Sequence, residues 1–303
     1  MATADRSTIF HETASVLSHE AFLGGQTILR LYAPECAAHA HPGQFAHIQC
    51  APDLLMRRPL SILRVSKDQG WVEFLYKTIG IGTQRLSVRK PGETLSILGP
   101  IGMPFQSSPE RPRALLLGGG LGIPPMVFLA DRLHQEGLAA SAVAFFGSEI
   151  PFPFNAYYSS QALPGVSASV RASMPWLEQW QIANRLCSQQ DYAGCFKGYV
   201  TELADRWLET LTPEEHQQLT VYACGPHAML NAVARLATKY NLECQLSLEE
   251  YMACAVGGCA GCTVEVLTPS GPAMKRVCVD GPVFDLASLR HTVFRDVAAN
   301  NGA

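Results

Sequence analysis

Cys254, Cys259, Cys262 and Cys278 stand in the arrangement C-x4-C-x2-C-x15-C, and no other feature restricts this sequence so tightly. Thiolates are soft ligands, and four of them suit either zinc or an iron–sulfur cluster. Zinc sites favour paired C-x2-C arms, whereas a plant-type 2Fe-2S cluster uses C-x4-C-x2-C with a distant fourth cysteine. The residues between the ligands support the cluster. Ala255-Val256-Gly257-Gly258 and Ala260-Gly261 make a small-residue loop that can wrap closely, with backbone N–H groups free to hydrogen-bond the sulfides. Zinc, which accepts the same four ligands, is the alternative occupant. The other six cysteines, Cys36, Cys50, Cys187, Cys195, Cys224 and Cys244, are scattered. In a reducing compartment such clustering argues for metal rather than disulfides.

With 303 residues, 48% of them hydrophobic, the chain can build two or three cores. A net charge of −3 offers no basic surface of the kind a nucleic acid needs. No basic segment followed by an apolar run opens the chain, so no signal peptide is expected. The uncharged stretch 114–130 contains four glycines and two prolines, as a membrane-spanning helix would not. The expectation is a cytoplasmic protein without a membrane span.

Hydrophobic patterning divides the chain into three. Residues 1–108 alternate apolar and polar side chains, as in 26–32 and 71–76, between turn signals at Pro42-Gly43, Gln69-Gly70 and Pro91-Gly92. Short strands so spaced predict an antiparallel β-barrel. Residues 109–243 change character: strands at 114–117, 141–146 and 221–224 alternate with helices at 124–135 and 227–240, the signature of a Rossmann-like parallel α/β sheet. Residues 244–303 hold the cysteine cluster and few long periodic segments, and read as a small third domain.

Several short motifs add nucleotide chemistry. Arg58-Pro59-Leu60-Ser61 is expected at the end of a barrel strand, where an arginine fork and a serine hydroxyl suit a diphosphate. Gly80-Ile81-Gly82-Thr83 opens a helix whose free N–H groups would face the same phosphates. Alone, the first reads as a solvated arginine and the second as a capped turn; their order ahead of a nucleotide-type domain gives them weight. Gly118-Gly119-Gly120-Leu121-Gly122 joins a strand to a helix and lets a pyrophosphate approach the backbone, although Ile123 departs from the G-x-G-x-x-G fingerprint. A tight packing turn is the competing reading. Glu149, after the next strand, suits a ribose hydroxyl and so NAD. Cys224-Gly225-Pro226 ends a strand at the sheet edge where α/β proteins bind ligands. His134 and His227 are assigned no role.

In this order, Pro42-Gly43-Gln44-Phe45, Arg58-Pro59-Leu60-Ser61, Gly82-Thr83, the glycine turn and Cys224-Gly225-Pro226 resemble the ferredoxin–NADP reductase superfamily. The segments 249–262 and 277–284, ending in Asp280-Gly281-Pro282-Val283-Phe284, resemble the electron-transfer subunits of NAD-dependent dihydroorotate dehydrogenases. The resemblance implies FAD held by Arg58, Pro59, Leu60, Ser61, Leu75, Tyr76, Lys77, Gly82 and Thr83. It places NAD against Gly118, Gly119, Gly120, Gly122, Gly225 and Pro226, with Cys224 catalytic at the flavin's reactive edge. The four clustered cysteines would ligate 2Fe-2S, and the partner would be an FMN-containing dehydrogenase subunit, dihydroorotate dehydrogenase, in a hetero-oligomer. Two alternatives accompany this reading: an NAD(P)H:ferredoxin-type oxidoreductase subunit with another partner, and a flavin-free metal-binding adaptor. Three departures from the family pattern stand out. Ala255 replaces a usual glycine, which implies an adjusted backbone dihedral. Tyr251 replaces a usual arginine. Residues 173–190, with Trp176 and Trp180, read as an extra segment that forms a small hydrophobic patch over the domain.

Overall fold

In the computed structural model, which describes residues 8–289, the alternating runs of the first third close into a six-stranded antiparallel barrel. Its strands are β1 (Phe10–Phe22), β2 (Gln26–Tyr32), β3 (Phe45–Gln49), β4 (Arg58–Ser66), β5 (Trp71–Lys77) and β6 (Thr94–Ile101). They run in the order β1-β2-β5-β4-β3-β6, and β6 pairs back onto β1. Period-2 alternation sends Leu29, Leu31, Ile48, Ile62, Phe74 and Ile97 inward to fill it. The helix α1 (Pro34–His39) adds Cys36 and Ala37 to that core. Its start is satisfied from β1: the Glu12 carboxylate accepts from the N–H groups of Glu35 and Cys36 at 3.0 and 2.8 Å. A second helix, α2 (Ile81–Ser87), follows β5.

Arg58-Pro59-Leu60-Ser61 begins β4 instead of ending a strand, which corrects the sequence expectation. Proline has no N–H for a sheet ladder, so Pro59 is accommodated at a strand start, opposite His47 of β3.

The second lobe is built from β7 (Arg113–Gly119), α3 (Ile123–Gln135), β8 (Ala142–Gly147), the small ribbon of β9 (Tyr157–Tyr158) and β10 (Ala172–Ser173), and α4 (Pro175–Gln179). There follow β11 (Ala183–Ser188), β12 (Phe196–Lys197), α5 (Val200–Leu208), α6 (Pro213–Gln217), β13 (Leu219–Cys224), α7 (His227–Lys239) and β14 (Glu243–Ser247). The main sheet runs β12-β11-β8-β7-β13-β14, all parallel, as the alternation predicts.

Residues 173–190 are not an extra segment. They supply β11, which lies between β8 and β12 inside the sheet. Asn184, Arg185 and Ser188 disguise the strand, yet all three are buried. Asn184 Oδ1 accepts the Met174 N–H, the Arg185 guanidinium donates to the carbonyls of Val170, Asn184 and Gln161, and the Ser188 hydroxyl donates to that of Ser148. The two tryptophans pack, partly buried, over the sheet's core: Trp180 stacks on His134, and the Arg64 guanidinium of the barrel lies 3.9 Å over the Trp176 ring.

The cysteine segment ends in β15 (Thr263–Thr268), β16 (Gly271–Arg276) and α8 (Val277–Asp280), then returns as β17 (Val283–Asp285) and α9 (Leu286–Leu289). Strand β17 pairs antiparallel with β14 as the seventh strand of the main sheet. A boundary at residue 244 therefore falls inside a strand, and the cysteine lobe is an insertion between two neighbours of one sheet. The lobe shares the sheet's core, with Val264, Val266 and Val277 packed in the same cluster as Leu246 and Phe284. Among the described residues no helix is long and apolar enough to cross a membrane.

Candidate functional site

Barrel, sheet and cysteine lobe meet around a cleft of about 960 Å³. Arg58, Pro59 and Leu60 of β4, Tyr76 and Lys77 of β5, Thr83 of α2 and Gly225 after β13 all line it. A smaller recess of about 110 Å³ shares Pro59 and Leu60 and adds Ser61, Leu75, Gly122 and Cys224. Residues from three separated sequence motifs thus face one space.

Arg58 is the outer cleft's most informative group. Its Nη1 donates to the carbonyls of Met56 and Arg57 at 2.9 and 3.1 Å, so these contacts leave its charge uncompensated. The guanidinium lies against Gly82, where a Cβ would come within 2.6 Å of Nε. Gly82 therefore makes room for the arginine. Thr83 Oγ1 accepts from the Ile79 N–H at 2.9 Å and shapes the start of α2.

The glycine turn divides between two jobs. Gly118 and Gly119 belong to β7 and are packing positions: a Cβ on Gly118 would meet Phe146 at 2.9 Å, and one on Gly119 would meet Met229 Sδ at 2.4 Å. Gly122 lets α3 approach β13, since its Cβ would overlap the Cys224 carbonyl at 2.1 Å. Gly120 takes φ +54° where the chain turns from β7 toward α3. Pro226 is the N-cap of α7, between two cleft residues, Gly225 and His227. Glu149 is exposed just past the end of β8.

Cys224 ends β13 at the recess, 9% exposed. Burial pushes its thiol up to about 12, against the opposing influence of the Ser247 hydroxyl. The thiol is neutral across the physiological range, so it is neither a nucleophile nor a ready proton donor.

Two parts of the site escaped the sequence reading. His227 lines the cleft, as does the run Leu248, Glu249, Glu250, Tyr251, Met252 and Ala253, which forms its far wall. The available signal was position: 248 directly follows β14, at the carboxyl edge of a parallel sheet. Tyr251, at 95% exposure, stands at the mouth.

That wall runs directly into Cys254, and Gly261, next to Cys262, also lines the cleft. The four thiols form two pairs. Cys254 lies beside Cys259, whose N–H donates to its Sγ at 3.4 Å, and Cys262 lies beside Cys278. Burial opposes ionisation of Cys254, but N–H groups of Cys259, Val256 and Gly258 outweigh it and bring the thiol down to about 7. Burial pushes Cys278 up to about 12, reinforced by its neighbour Cys262. The loop alternates into the left-handed region, with φ of +55° at Ala255, +81° at Gly257 and +54° at Ala260. This alternation turns successive N–H groups inward as an anion-binding nest. Two thiol pairs in such a nest fit a two-iron centre, which takes two ligands per iron. Among the described residues, no three potential ligands gather as they would around a single ion.

Ala255 keeps the glycine-like dihedral, contrary to the expected adjustment. Exposed Ala260 bears the same strain with no compensating burial, so Ala260→Gly is expected to stabilise the lobe by about 1 kcal/mol. Slower iron loss to a chelator and a higher melting temperature would register it. At Ala255 the same change removes a buried methyl worth about 0.8 kcal/mol and gains little.

Closed barrel, parallel sheet and four-thiol lobe together define a protein of the ferredoxin–NADP reductase fold with an added cysteine segment. Over 95% of this chain and 92% of the other, the fold matches the solved NADH-dependent reduced ferredoxin-NADP oxidoreductase at a TM-score of 0.73 and 21% identity. The ferredoxin reductase in carbazole 1,9a-dioxygenase matches at 0.58 over 77% of this chain and 67% of its own. Residues 249–290 match the iron-sulfur cluster binding domain of dihydroorotate dehydrogenase B. The dihydroorotate dehydrogenase B (NAD(+)) electron transfer subunit of Geobacillus sp. (strain WCH70) is 31% identical over 289 residues, covering 94% of this chain and 97% of that protein. Its counterpart from Bacillus caldolyticus is 34% identical over 248 residues, 80% of this chain and 84% of the relative. The chain belongs to the family of dihydroorotate dehydrogenase B electron transfer subunits.

Proposed function

We propose that this chain passes electrons between an FMN-containing dihydroorotate dehydrogenase partner and NAD, through a 2Fe-2S cluster and FAD, within a hetero-oligomer. The carrying observation is that the cysteine loop and the nucleotide-sized cleft share a wall, through Ala253 and Gly261. When bound, the cluster exchanges single electrons and FAD exchanges a hydride with the nicotinamide, so the cofactors supply the chemistry. The protein binds and orients. Arg58 would offer its guanidinium to the FAD diphosphate, with the Thr83 and Ser61 hydroxyls as further donors; Pro59, Leu60, Leu75, Tyr76 and Lys77 would wall the flavin. Cys224, held neutral by burial, acts as a small, soft contact where the nicotinamide meets the flavin. Gly122 and Gly225 allow that close approach, and Gly118, Gly119, Gly120 and Pro226 support the turns behind it. Cys254, Cys259, Cys262 and Cys278 hold the cluster. The ten free cysteines accord with a cytoplasmic setting.

An anaerobic absorption spectrum with NADH and then NADPH added tests this. Flavin bands over broad iron–sulfur absorption, bleached by NADH, are expected, as is co-purification with an FMN-containing subunit. A colourless zinc protein would reject the reading. Arg58→Gln is expected to weaken FAD retention by about 10- to 100-fold, the range for losing a charge-assisted contact, with the iron content unchanged. Equilibrium dialysis against FAD measures it.

A further inference from the structure

We propose that Arg276 is a positioning residue that both aligns the cluster loop and sets the charge felt by the metal centre; the proposal rests on the reading that the four thiols hold 2Fe-2S. Arg276 closes β16, paired with Thr263, two residues before Cys278. Its Nη1 donates to the Gly257 carbonyl at 2.9 Å. That peptide is flanked by Gly257 and Gly258, and two adjacent glycines leave it the most freely rotating in the loop. Because a trans peptide points its N–H opposite its carbonyl, holding the Gly257 carbonyl outward turns the Gly258 N–H inward. The next N–H along, of Cys259, donates to the Cys254 Sγ at 3.4 Å. One guanidinium thus fixes the peptide that leads into the N–H serving Cys254.

The arginine is itself held. Its backbone N–H donates to Asp280 Oδ2 at 2.9 Å, its Nε lies 3.7 Å from the same oxygen, and Lys275 Nζ reaches Asp280 Oδ1 at 3.3 Å. The next N–H, of Val277, donates to the Cys262 carbonyl at 2.9 Å. Arg276 therefore ties the loop of the first three ligands to the arm carrying the fourth. A guanidinium places a positive charge at this end of the lobe. A tetrathiolate centre is already negative, and the electron it accepts from the partner adds one more charge. A fixed cation beside it favours the reduced form and raises the midpoint potential.

Arg276→Gln and Arg276→Lys in the full holo chain, titrated potentiometrically and followed by electron paramagnetic resonance at low and high salt, separate the two roles. For the glutamine variant the reduced-to-oxidised ratio at fixed poise is expected to fall about tenfold, about 59 mV for a one-electron couple. Salt should shrink that shift. The lysine variant keeps the charge and is expected to stay within about threefold of wild type. Both variants lose the fork at Gly257 and should release iron to a chelator faster. A glutamine variant that titrates with wild type and releases iron no faster overturns the proposal. Should that variant assemble no cluster, the lysine variant decides: a tenfold shift there removes the charge role, and wild-type iron release removes the positioning role. A wild-type protein without a reduced 2Fe-2S signal would instead reject the proposed function.

Discussion

Cys278→Ser is expected to remove the one-electron half of the activity and leave the flavin half in place. Serine matches the cysteine in shape but presents a hard oxygen, a poor partner for iron that thiolates otherwise hold. Cys278 is buried in α8 beside Val277 and Cys262, so no outside ligand can readily substitute. Iron and labile sulfide should drop to a small fraction of wild type, and electron flow from the partner should cease. The FAD cleft draws its candidate phosphate contacts from β4 and α2, which do not involve this residue. NADH should therefore still bleach the flavin bands. The lobe would loosen, because metal binding and folding are coupled in small metal sites. The main sheet should persist through its own buried strands. Full iron content with an unchanged resonance spectrum would show that Cys278 is not a ligand.

The second large effect lies in the barrel. Glu73→Ala is expected to destabilise the protein by about 2–4 kcal/mol, below the range for fully buried pairs because Arg30 is partly solvated. Glu73 is 3% exposed at the middle of β5, between cross-strand partners Arg30 and Arg64. Arg30 donates through Nε and Nη2 to Oε1 at 2.9 and 2.7 Å, and Arg64 through Nε to Oε2 at 2.7 Å. Without the carboxylate, two guanidinium groups face each other over Trp71, which they approach to 4.3 and 5.9 Å. Arg64 also stacks on Trp176, so the change should loosen the seam between barrel and sheet. A melting temperature lower by roughly 5–10 °C is expected. Glu73→Gln, which retains an acceptor, should lose less. An alanine variant melting with wild type would remove Glu73 from the forces holding the seam.

Local chemistry decided what could be read from the chain. The cysteine spacing and the barrel's alternation are short-range patterns, and each landed where expected. Strand β11 did not, because Asn184 and Arg185 look exposed until the Met174 N–H, ten residues from Asn184, and the Val170 and Gln161 carbonyls, fifteen and twenty-four residues from Arg185, are brought to them. The same holds for the lobe boundary: β14 looks terminal only while its partner β17, almost forty residues later, is out of view. The Leu248–Ala253 wall carries no motif; its place at the sheet's edge assigns it to the cleft. Gly118 and Gly119 agree with the competing reading of a packing turn, since Phe146 and Met229 account for both positions.

The insertion of the cysteine lobe between β14 and β17 bears on how current moves through the molecule. A domain on a single tether can swing, and its charge carrier then spends part of each cycle out of range. Here both ends are clamped to adjacent rungs of one ladder, Ser247 opposite Val283. A cluster on the four thiols and a flavin in the cleft would accordingly be held at one spacing by the scaffold. Throughput then varies with voltage difference and partner occupancy, not with the timing of a moving arm.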